Sequence, residues 1–296
     1  MNALRAICPT KVNLGLHVVG RRSDGYHEIV TIFQAIDLCD ALEGEVAEAL
    51  TLEVQDASIP ADESNLVLRA ARLLHARIAG ARGRGARLRL DKGIPAGAGL
   101  GGGSSDAAGA LMLLNELWSL RLGSAALERL AADLGSDVPF FLFGGTALGT
   151  GRGATIEPLP PIGERAVLLG CPPFALSTPE VYRALQAPLT VDGADVTVPR
   201  LFVKFAKGND FALARNDLEV AAFGMRGELA TFRDALSRSG AEVALVSGSG
   251  STVFGLFRAG TDVTSIAEDV RGGFPGWTLK ASRTVASGVR IVPAVE

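Results

Sequence analysis

The sequence predicts an α+β fold rather than a doubly wound parallel sheet. Strand-like and helix-like segments follow one another without strict alternation along the 296 residues, which is typical of sheets with helices packed against them. Residues 86–90 alternate apolar and charged side chains, as a half-exposed antiparallel strand does. A glycine-rich loop follows this strand and leads directly into a predicted helix.

The N-terminal part of the chain is predicted to form strands and one helix. The predicted strands are 4–7, 12–19, 29–38, 50–54 and 86–90. The predicted helix is 66–78, because Asn65 is a good capping residue and apolar residues recur after it at helical spacing. Two further helices, 105–117 and 125–134, follow the glycine-rich loop, and Gly135 ends the second. Residues 138–141 are predicted to form an apolar strand.

A glycine- and proline-dense zone at 144–163 is the best candidate for a domain boundary. We therefore expect one unit over 1–157 and a second over 158–296. The second unit is predicted to contain strands 166–169, 243–247, 252–257, 278–281 and 289–292, and helices 179–185, 201–206, 226–239 and 263–270.

The composition is that of a globular protein, with 48% hydrophobic residues, 21% charged residues and a net charge of −3. No apolar run reaches the roughly 18–20 residues of a membrane span, and the N-terminus resembles no signal peptide. Cys8, Cys39 and Cys171 lack metal-site spacing. The arginines between 82 and 89 have no aromatic residues among them. We expect a cytoplasmic protein with reduced thiols that binds neither nucleic acid nor membrane.

The most informative segment is the loop at 97–103, in which five of seven residues are glycine. Glycines let backbone N–H groups close around an anion, and a helix N-terminus adds free amides and a positive dipole end. Ser104 and Ser105 suit the N-cap and first turn, where their hydroxyls can reach phosphate or Mg²⁺. The segment therefore predicts a phosphate site.

Three other interpretations of this loop fit less well. A dinucleotide-binding loop needs a buried parallel strand before it and a second strand ending in an acidic residue about 20 positions later. Here the strand before the loop alternates, and the helix after the loop is followed by a second helical stretch. A Walker A loop needs Gly-Lys-Ser/Thr, which the chain lacks. A flexible linker is disfavoured by Pro95 at the start of the loop, by Leu100 within it and by the helix that follows at once.

Lys11, Asn13 and Asp137 are the candidate catalytic groups. Lys11 and Asn13 are two residues apart on a predicted strand and so share one face, which is costly for an apolar strand unless they line a site. Lys11 could instead be a solvated residue of an edge strand. Asp137 lies between a helix end and an apolar run, so a poorly solvated carboxylate paired with Lys11 is expected, although Asp137 could simply cap a turn. A Ser-Gly-Ser-Gly turn at 247–250 suits an anionic substrate, or a tight hairpin.

Six blocks, taken in order, resemble the GHMP kinases, the small-molecule kinases of the galactose, homoserine and mevalonate type. They are Pro-x-Lys-x-Asn-Leu from Pro9, Arg-x-Asp-Gly-Tyr-His at 22–27, Pro-x-Gly-x-Gly-Leu-Gly-Gly-Gly-Ser-Ser from Pro95, Leu-Gly-x-Asp-Val-Pro at 134–139, Asn-Asp-Leu-Glu at 216–219, and Ser-Gly-Ser-Gly at 247–250. The resemblance spans residues 8–257. Departures are Thr10, where Ala is usual, Asp106, where Asn is common, and a divergent C-terminal region.

The resemblance implies an N-terminal ATP-binding domain, a C-terminal domain and an active site in the cleft between them. The tyrosine-histidine block is specific to members that phosphorylate the 2-hydroxyl of a cytidine-diphosphate-linked methylerythritol with ATP and Mg²⁺. Lys11 and Asp137 are then catalytic. Asn13, Tyr26, His27 and Tyr182 bind substrate, the two tyrosines enclosing the cytosine. The implied ATP-binding residues are Asn65, Lys92, Pro95, Gly97, Gly99, Leu100, Gly101, Gly102, Gly103, Ser104 and Ser105.

The resemblance leaves the Mg²⁺ ligands unassigned and is compatible with a monomer or a weak homodimer. Two alternatives stay open at this point. One is another GHMP kinase of the homoserine or mevalonate type, which has no use for paired tyrosines. The other is a nucleotide-binding regulator that has kept the fold and lost catalysis.

Overall fold

The computed structural model describes residues 3–185, 211 and 214–294. The predicted α+β class is confirmed, because helices pack against two separate sheets. The strands, in chain order, are β1 (Leu4–Arg21), β2 (His27–Ala47), β3 (Leu50–Val54), β4 (Gly85–Asp91), β5 (Thr146–Thr150), β6 (Thr155–Pro158), β7 (Arg165–Cys171), β8 (Val243–Val246), β9 (Val253–Arg258), β10 (Thr278–Arg283) and β11 (Arg290–Pro293). The α-helices are α1 (Leu66–Arg77), α2 (Gly102–Leu117), α3 (Ser124–Leu134), α4 (Val138–Phe143), α5 (Thr178–Ala184), α6 (Glu219–Met225), α7 (Gly227–Arg238) and α8 (Val263–Arg271).

The first sheet has the order β11-β1-β2-β4-β3, and β5 also pairs with β2 and carries β6. The second sheet has the order β10-β7-β9-β8 and is antiparallel throughout. The alternating strand β4 pairs antiparallel with β2, as predicted, and parallel with β3. Its side chains alternate between buried and exposed along most of its length.

Three predicted elements are corrected by the structure. The two strands at 4–7 and 12–19 are one strand, β1, which continues through register shifts at Pro9/Thr10, Asn13/Gly15 and Val18/Gly20. Residues 138–141 begin the helix α4, not a strand. Pro139 fits a first helical turn, and because α4 is buried on most sides its short apolar run has no helical period to detect.

The zone at 144–163 holds the β5–β6 hairpin, not only a linker. Position 149 in β5 is a glycine because a Cβ there would stand 2.6 Å from the Phe33 ring. The helix α6 was not predicted, and α7 ends one residue earlier than the predicted 226–239 helix. The predicted helix at 201–206 lies outside the described residues.

Three of the apolar clusters in the described residues hold the layers together. The first packs α1, α2 and α3 on the first sheet, and another packs α7 and α8 on the second sheet. Between them, residues of β1 and β2 such as Val12 and Ile32 meet residues of β7 and β9 such as Leu169 and Phe254. This central cluster also includes Leu100, so the glycine-rich loop lies where the two sheets meet.

The last strand, β11, pairs with β1 and so returns the C-terminal end of the chain to the first sheet. A division between residues 157 and 158 remains our proposal, with β11 as a C-terminal addition to the first unit. Within the described part of the chain, no helix combines the length and the apolar character needed to span a membrane.

Candidate active site

The glycine-rich loop is attached to both sheets. The carbonyl oxygen of Leu100 accepts hydrogen bonds from the Thr10 hydroxyl and from the Lys11 backbone N–H, the latter at 3.2 Å. On the other side, the Thr252 N–H donates to the Ala98 carbonyl at 3.1 Å. The loop is therefore held in one place by β1 and by the segment before β9.

Two glycines of the loop are required by geometry. Gly101 has φ +72°, and a Cβ there would stand 2.9 Å from Cζ of Phe141 and 3.2 Å from Cε of Lys11. Gly99 has φ +78°, and its Cβ would stand 2.4 Å from the Ser247 carbonyl oxygen. Only glycine adopts these φ values without strain, so at these two positions the loop backbone lies directly against its neighbours.

The helix α2 begins at Gly102 with Gly101 as its N-cap. Ser104 and Ser105 therefore lie in the first turn, and the expectation that a serine caps the helix is wrong. The Ser105 hydroxyl is buried and has no hydrogen-bond partner among the described residues, which fits a site for a phosphate or metal ligand. The other predicted loop residues divide by exposure: Gly97 and Gly103 are exposed, Pro95 is half-buried, and Leu100 and Gly102 are buried.

Lys11 is buried among oxygen atoms, with 3% of its surface exposed. Its Nζ donates to Oδ1 of Asn13 at 2.7 Å and to the Gly99 carbonyl at 3.0 Å. The Asn13 amide in turn donates to the Thr31 hydroxyl at 2.8 Å. Lys11 and Asn13 share a face of β1, as predicted, and Lys11 is not a solvated residue of an edge strand.

Asp137 faces Lys11 from the opposite side. Its Oδ2 lies 3.6 Å from Lys11 Nζ, and 33% of its side chain is exposed. Asp137 occupies the N-cap position of α4, yet its side chain makes no capping hydrogen bond. The capping interpretation is therefore wrong, and the carboxylate points into the cavity instead.

Burial lowers the pKa of Lys11 below its ordinary value, and the charge of Asp137 and hydrogen bonding of the ammonium to that carboxylate oppose the shift. Desolvation of a buried ammonium is the physical cause. The result is a cation whose charge is poorly hydrated and is directed at Asp137 and at the groups that bind beside it.

A cavity of about 730 Å³ opens in front of this pair. Its lining includes Lys11, Asn13 and Asp137, the loop glycines Gly99 and Gly101, and Gly248 and Ser249 of the second glycine turn. The structure thus brings the predicted catalytic pair, the phosphate loop and the 247–250 turn to one space between the two sheets.

The aromatic side chains of Tyr26, His27 and Tyr182 also line this cavity. The rings of His27 and Tyr182 are 4.8 Å apart and tilted by 31°. Tyr26 is 56% exposed, and the Arg152 guanidinium lies 4.7 Å from its ring centroid. Burial raises the pKa of the Tyr182 hydroxyl and lowers that of His27, to which the charge of Arg21 adds. The two tyrosines share the cavity, but each ring contacts a different neighbour.

Lys92 lies beside the start of α2, and Asn65 lies at the start of α1. The Lys92 ammonium contacts the carboxylates of Asp40 and Asp106, the latter at 2.7 Å, and all three side chains are buried. Burial and the charge of Asp40 raise the pKa of Asp106, although Lys92 opposes the shift. Asn65 caps α1 by accepting from the Val67 N–H at 2.9 Å.

Several lining residues were not singled out from the sequence. They include Ser136, Arg152, Thr178 and Arg183. Ser136 adjoins Asp137 in a recognised block, so its neighbour gave a signal. Arg152 follows a glycine in an irregular zone and carries no pattern. Among the described residues, no group of three or more His, Cys, Asp or Glu side chains could hold a metal ion.

Family models match both halves of the chain. The model described as the GHMP kinases N terminal domain matches residues 65–145. The model described as GHMP kinases C terminal matches residues 205–276. The first includes the glycine-rich loop and Asp137, and the second includes the 216–219 and 247–250 segments.

Curated relatives are similar over most of the chain. A 4-diphosphocytidyl-2-C-methyl-D-erythritol kinase from Pelotomaculum thermopropionicum is 46% identical over 259 residues, covering 86% of this chain and 88% of the relative. The kinase of the same name from Bacillus subtilis is 39% identical over 270 residues, covering 89% and 91%.

Solved structures agree with this similarity. A crystal structure of 4-(cytidine 5'-diphospho)-2C-methyl-D-erythritol kinase has a TM-score of 0.77 and 37% identity, covering 95% of this chain and 98% of that one. A homoserine kinase from Cytophaga hutchinsonii has a TM-score of 0.74 at 17% identity, covering 99% and 98%. The second likeness concerns the fold alone.

Proposed function

Because the chain belongs to the GHMP kinases and, within them, to the 4-diphosphocytidyl-2-C-methyl-D-erythritol kinase family, we propose that it transfers the γ-phosphoryl group of ATP to the 2-hydroxyl of 4-(cytidine 5'-diphospho)-2-C-methyl-D-erythritol. The products are the 2-phosphate and ADP, and the reaction belongs to the non-mevalonate route to isoprenoid precursors. That the chain is a small-molecule kinase follows from the family itself.

One observation carries the proposal. The Lys11–Asp137 pair, 3.6 Å apart, faces the same cavity as the glycine-rich loop and the tyrosine-histidine turn. Phosphoryl transfer depends mainly on positioning and charge stabilisation. A cation, a proton acceptor, a phosphate loop and an aromatic surface in one cavity are the groups that a kinase for a base-linked alcohol needs.

The contacts of the catalytic pair support the roles that we assign to it. Asp137, partly exposed to the cavity, accepts the proton of the attacking hydroxyl. Lys11 keeps that carboxylate ionised and stabilises negative charge that develops on the transferred phosphoryl group. Asn13, held by Lys11 and Thr31, orients the polyol.

The ATP phosphates are held by the backbone amides of the 97–103 loop and by the first turn of α2, whose dipole favours an anion. Lys92, paired with Asp106 of α2, and Asn65, at the start of α1, are assigned to the same ATP site. Mg²⁺ would be held mainly by phosphate oxygens, with the hydroxyls of Ser104 and Ser105 as the protein groups within reach. The bound metal ion would neutralise charge on those oxygens.

The cytidine end is assigned to Tyr26, His27 and Tyr182. Aromatic faces stack on any nucleobase, and a neutral imidazole can donate and accept at the base edge. The lowered pKa of His27 favours that neutral form. The homoserine and mevalonate alternatives have no nucleobase for these aromatic residues to bind. A non-catalytic regulator would not need a buried Lys11 paired with Asp137.

We also propose that the protein works in the cytoplasm as a monomer or weak homodimer. In support, the three cysteines are all free thiols, and Cys8 and Cys171 are buried. Reduced thiols are typical of the cytoplasm.

The function is tested by incubating the protein with ATP, Mg²⁺ and the cytidine-diphosphate-linked methylerythritol. Phosphorus NMR of the product should show a new phosphomonoester resonance, while both diphosphate resonances of the substrate remain. ADP release without this resonance would contradict the assignment.

A further inference from the structure

The segment Asn216-Asp217-Leu218-Glu219 was singled out in the sequence, but no catalytic or binding role has yet been given to it. It lies between β1 and the 247–250 turn, which lies against Lys11. On one side the Leu16 N–H donates to the Arg215 carbonyl at 2.8 Å, and the Asp217 N–H donates to the Leu16 carbonyl at 2.9 Å. The segment is thereby fixed to β1, the strand that carries Lys11 and Asn13.

Asp217 strengthens this attachment through its side chain. Its Oδ2 accepts from the Val18 N–H at 3.0 Å and lies 2.5 Å from Nδ1 of His17. Its Oδ1 pairs with Nε of Arg215 at 3.2 Å. Backbone and side chain together fix the position of residue 216 relative to β1.

On the other side, Asn216 holds the 247–250 turn. Its amide nitrogen donates to the Val246 carbonyl at 2.9 Å and to the Gly248 carbonyl at 2.7 Å. Its amide oxygen accepts from the Leu218 N–H at 2.9 Å. Asn216 is 4% exposed, and both N–H donors and the oxygen of this buried amide have a defined partner.

The turn that Asn216 holds lies against the catalytic groups. A Cβ on Gly248 would stand 3.5 Å from Lys11 Nζ and 3.4 Å from Asn13 Oδ1. The Ser247 hydroxyl donates to the Gly99 carbonyl at 2.9 Å, the same carbonyl that accepts from Lys11. The position of this turn therefore sets how closely Lys11 is enclosed.

We infer that Asn216 is a positioning residue for phosphoryl transfer: it holds the 247–250 turn against Lys11 and Gly99, and so keeps the catalytic ammonium enclosed and directed at Asp137. The inference rests on the proposed function, because that function supplies the reaction to be assayed. The contacts of Asn216 do not depend on it. An acceptor in place of the amide nitrogen would face two carbonyl oxygens at under 3 Å and would push the turn away.

The test compares Asn216→Asp with Asn115→Asp. Asn115 is also a buried asparagine, and it binds the Leu122 backbone at the far end of α2. The same amide-to-carboxylate change is thus made about 20 Å along the helix from the loop. The melting temperature of each variant is measured first, and kinetics are then measured at a temperature where both variants are fully folded.

We expect kcat of Asn216→Asp to fall about 10- to 100-fold, whereas Asn115→Asp keeps the wild-type kcat. We also expect the pKa of Lys11, measured by NMR of its side chain, to rise in Asn216→Asp as water reaches the ammonium, and to stay unchanged in the control. The same kcat in both variants together with an unchanged Lys11 pKa would overturn the inference.

If Asn216→Asp does not fold, Asn216→Ser replaces it, since a hydroxyl can still donate one hydrogen bond. A smaller rise in the Lys11 pKa and a smaller loss of kcat are then expected, and wild-type values for both would overturn the inference. The NMR titration needs no substrate. Failure of the proposed function would leave wild-type turnover absent while the titration still tests the positioning role.

Discussion

The Nζ atom of Lys11 lies 3.6 Å from Oδ2 of Asp137, across the space between β1 and the start of α4. The lysine is almost fully buried and the carboxylate is partly exposed, so one partner is fixed in the protein and the other faces the cavity. This asymmetry suits a stationary cation and a group that exchanges a proton with a bound alcohol.

Replacing Asp137 with Asn should lower kcat by about 10²- to 10⁴-fold, because the amide keeps the shape but cannot accept the hydroxyl proton. Affinity for a non-hydrolysable ATP analogue should stay nearly unchanged. Asp133→Asn is the control, because Asp133 lies on α3, is half-exposed and pairs only with the exposed Arg77 in the described structure. Retention of more than about a tenth of the activity in Asp137→Asn would remove Asp137 as the base.

Gly101→Ala should abolish binding of the ATP analogue in calorimetry. The residue needs φ +72°, and the new Cβ would press on Phe141 and Lys11. Gly123→Ala is a matched control, since Gly123 is also the N-cap of a helix but has φ −78° and open space around it. Equal affinities for the analogue in the two variants would place the phosphates elsewhere.

Tyr26→Ala should weaken binding of CMP and of the cytidine-diphosphate-linked substrate by roughly 1–3 kcal/mol, about 5- to 150-fold in affinity. Because Tyr26 is 56% exposed, the melting temperature should hardly move. Tyr182→Ala should weaken binding similarly and also lower the melting temperature, since Tyr182 packs against an apolar cluster.

Tyr182→Phe separates these two effects, because it keeps the aromatic ring and loses only the hydroxyl. It should retain most of the CMP affinity, while the affinity for ATP stays unchanged in all three tyrosine variants. A fall in stability without any change in CMP affinity would mean that the tyrosines only pack.

Glu219→Gln should make the protein more stable at neutral pH and leave its stability at pH 4 unchanged. Burial raises the pKa of Glu219 to about 7 from an ordinary 4.5, with Arg233 opposing the shift and Asp234 adding to it. Between these two values the unfolded chain releases a proton that the folded chain retains, so the free energy of unfolding falls as pH rises.

Glutamine has no such proton, and its amide oxygen can still accept from the Val246 N–H. The stability difference between variant and wild type should therefore grow by about 2–3 kcal/mol from pH 4.5 to pH 7. Denaturant unfolding at several pH values measures it. Parallel stability curves for the two proteins would show that Glu219 is ionised in the fold at an ordinary pKa.

Much of the fold could be predicted from local patterns. Strand β3 matches its prediction in full, and α1 differs by one residue at its end, because alternation and capping are encoded by neighbouring residues. The bulges of β1 and the helical state of α4 could not be predicted. Both depend on packing against other elements, which overrides an apolar run that has no clear period.

The site shows the same division. The phosphate loop could be predicted because its chemistry is contained in consecutive residues. The Lys11–Asp137 pair could be proposed only from the poor solvation of each side chain, and its distance depends on how α4 lies against β1. Arg152 could not be predicted, since its contact with Tyr26 follows from the turn between β5 and β6.

The most direct test of the assignment is ADP release by the wild-type protein with ATP, Mg²⁺ and three acceptors: the cytidine-diphosphate-linked methylerythritol, mevalonate and homoserine. We predict turnover with the first acceptor alone, inhibited by CMP in competition with that acceptor and lost in Asp137→Asn. Turnover with mevalonate or homoserine at a comparable kcat/KM, or no inhibition by millimolar CMP, would contradict the account.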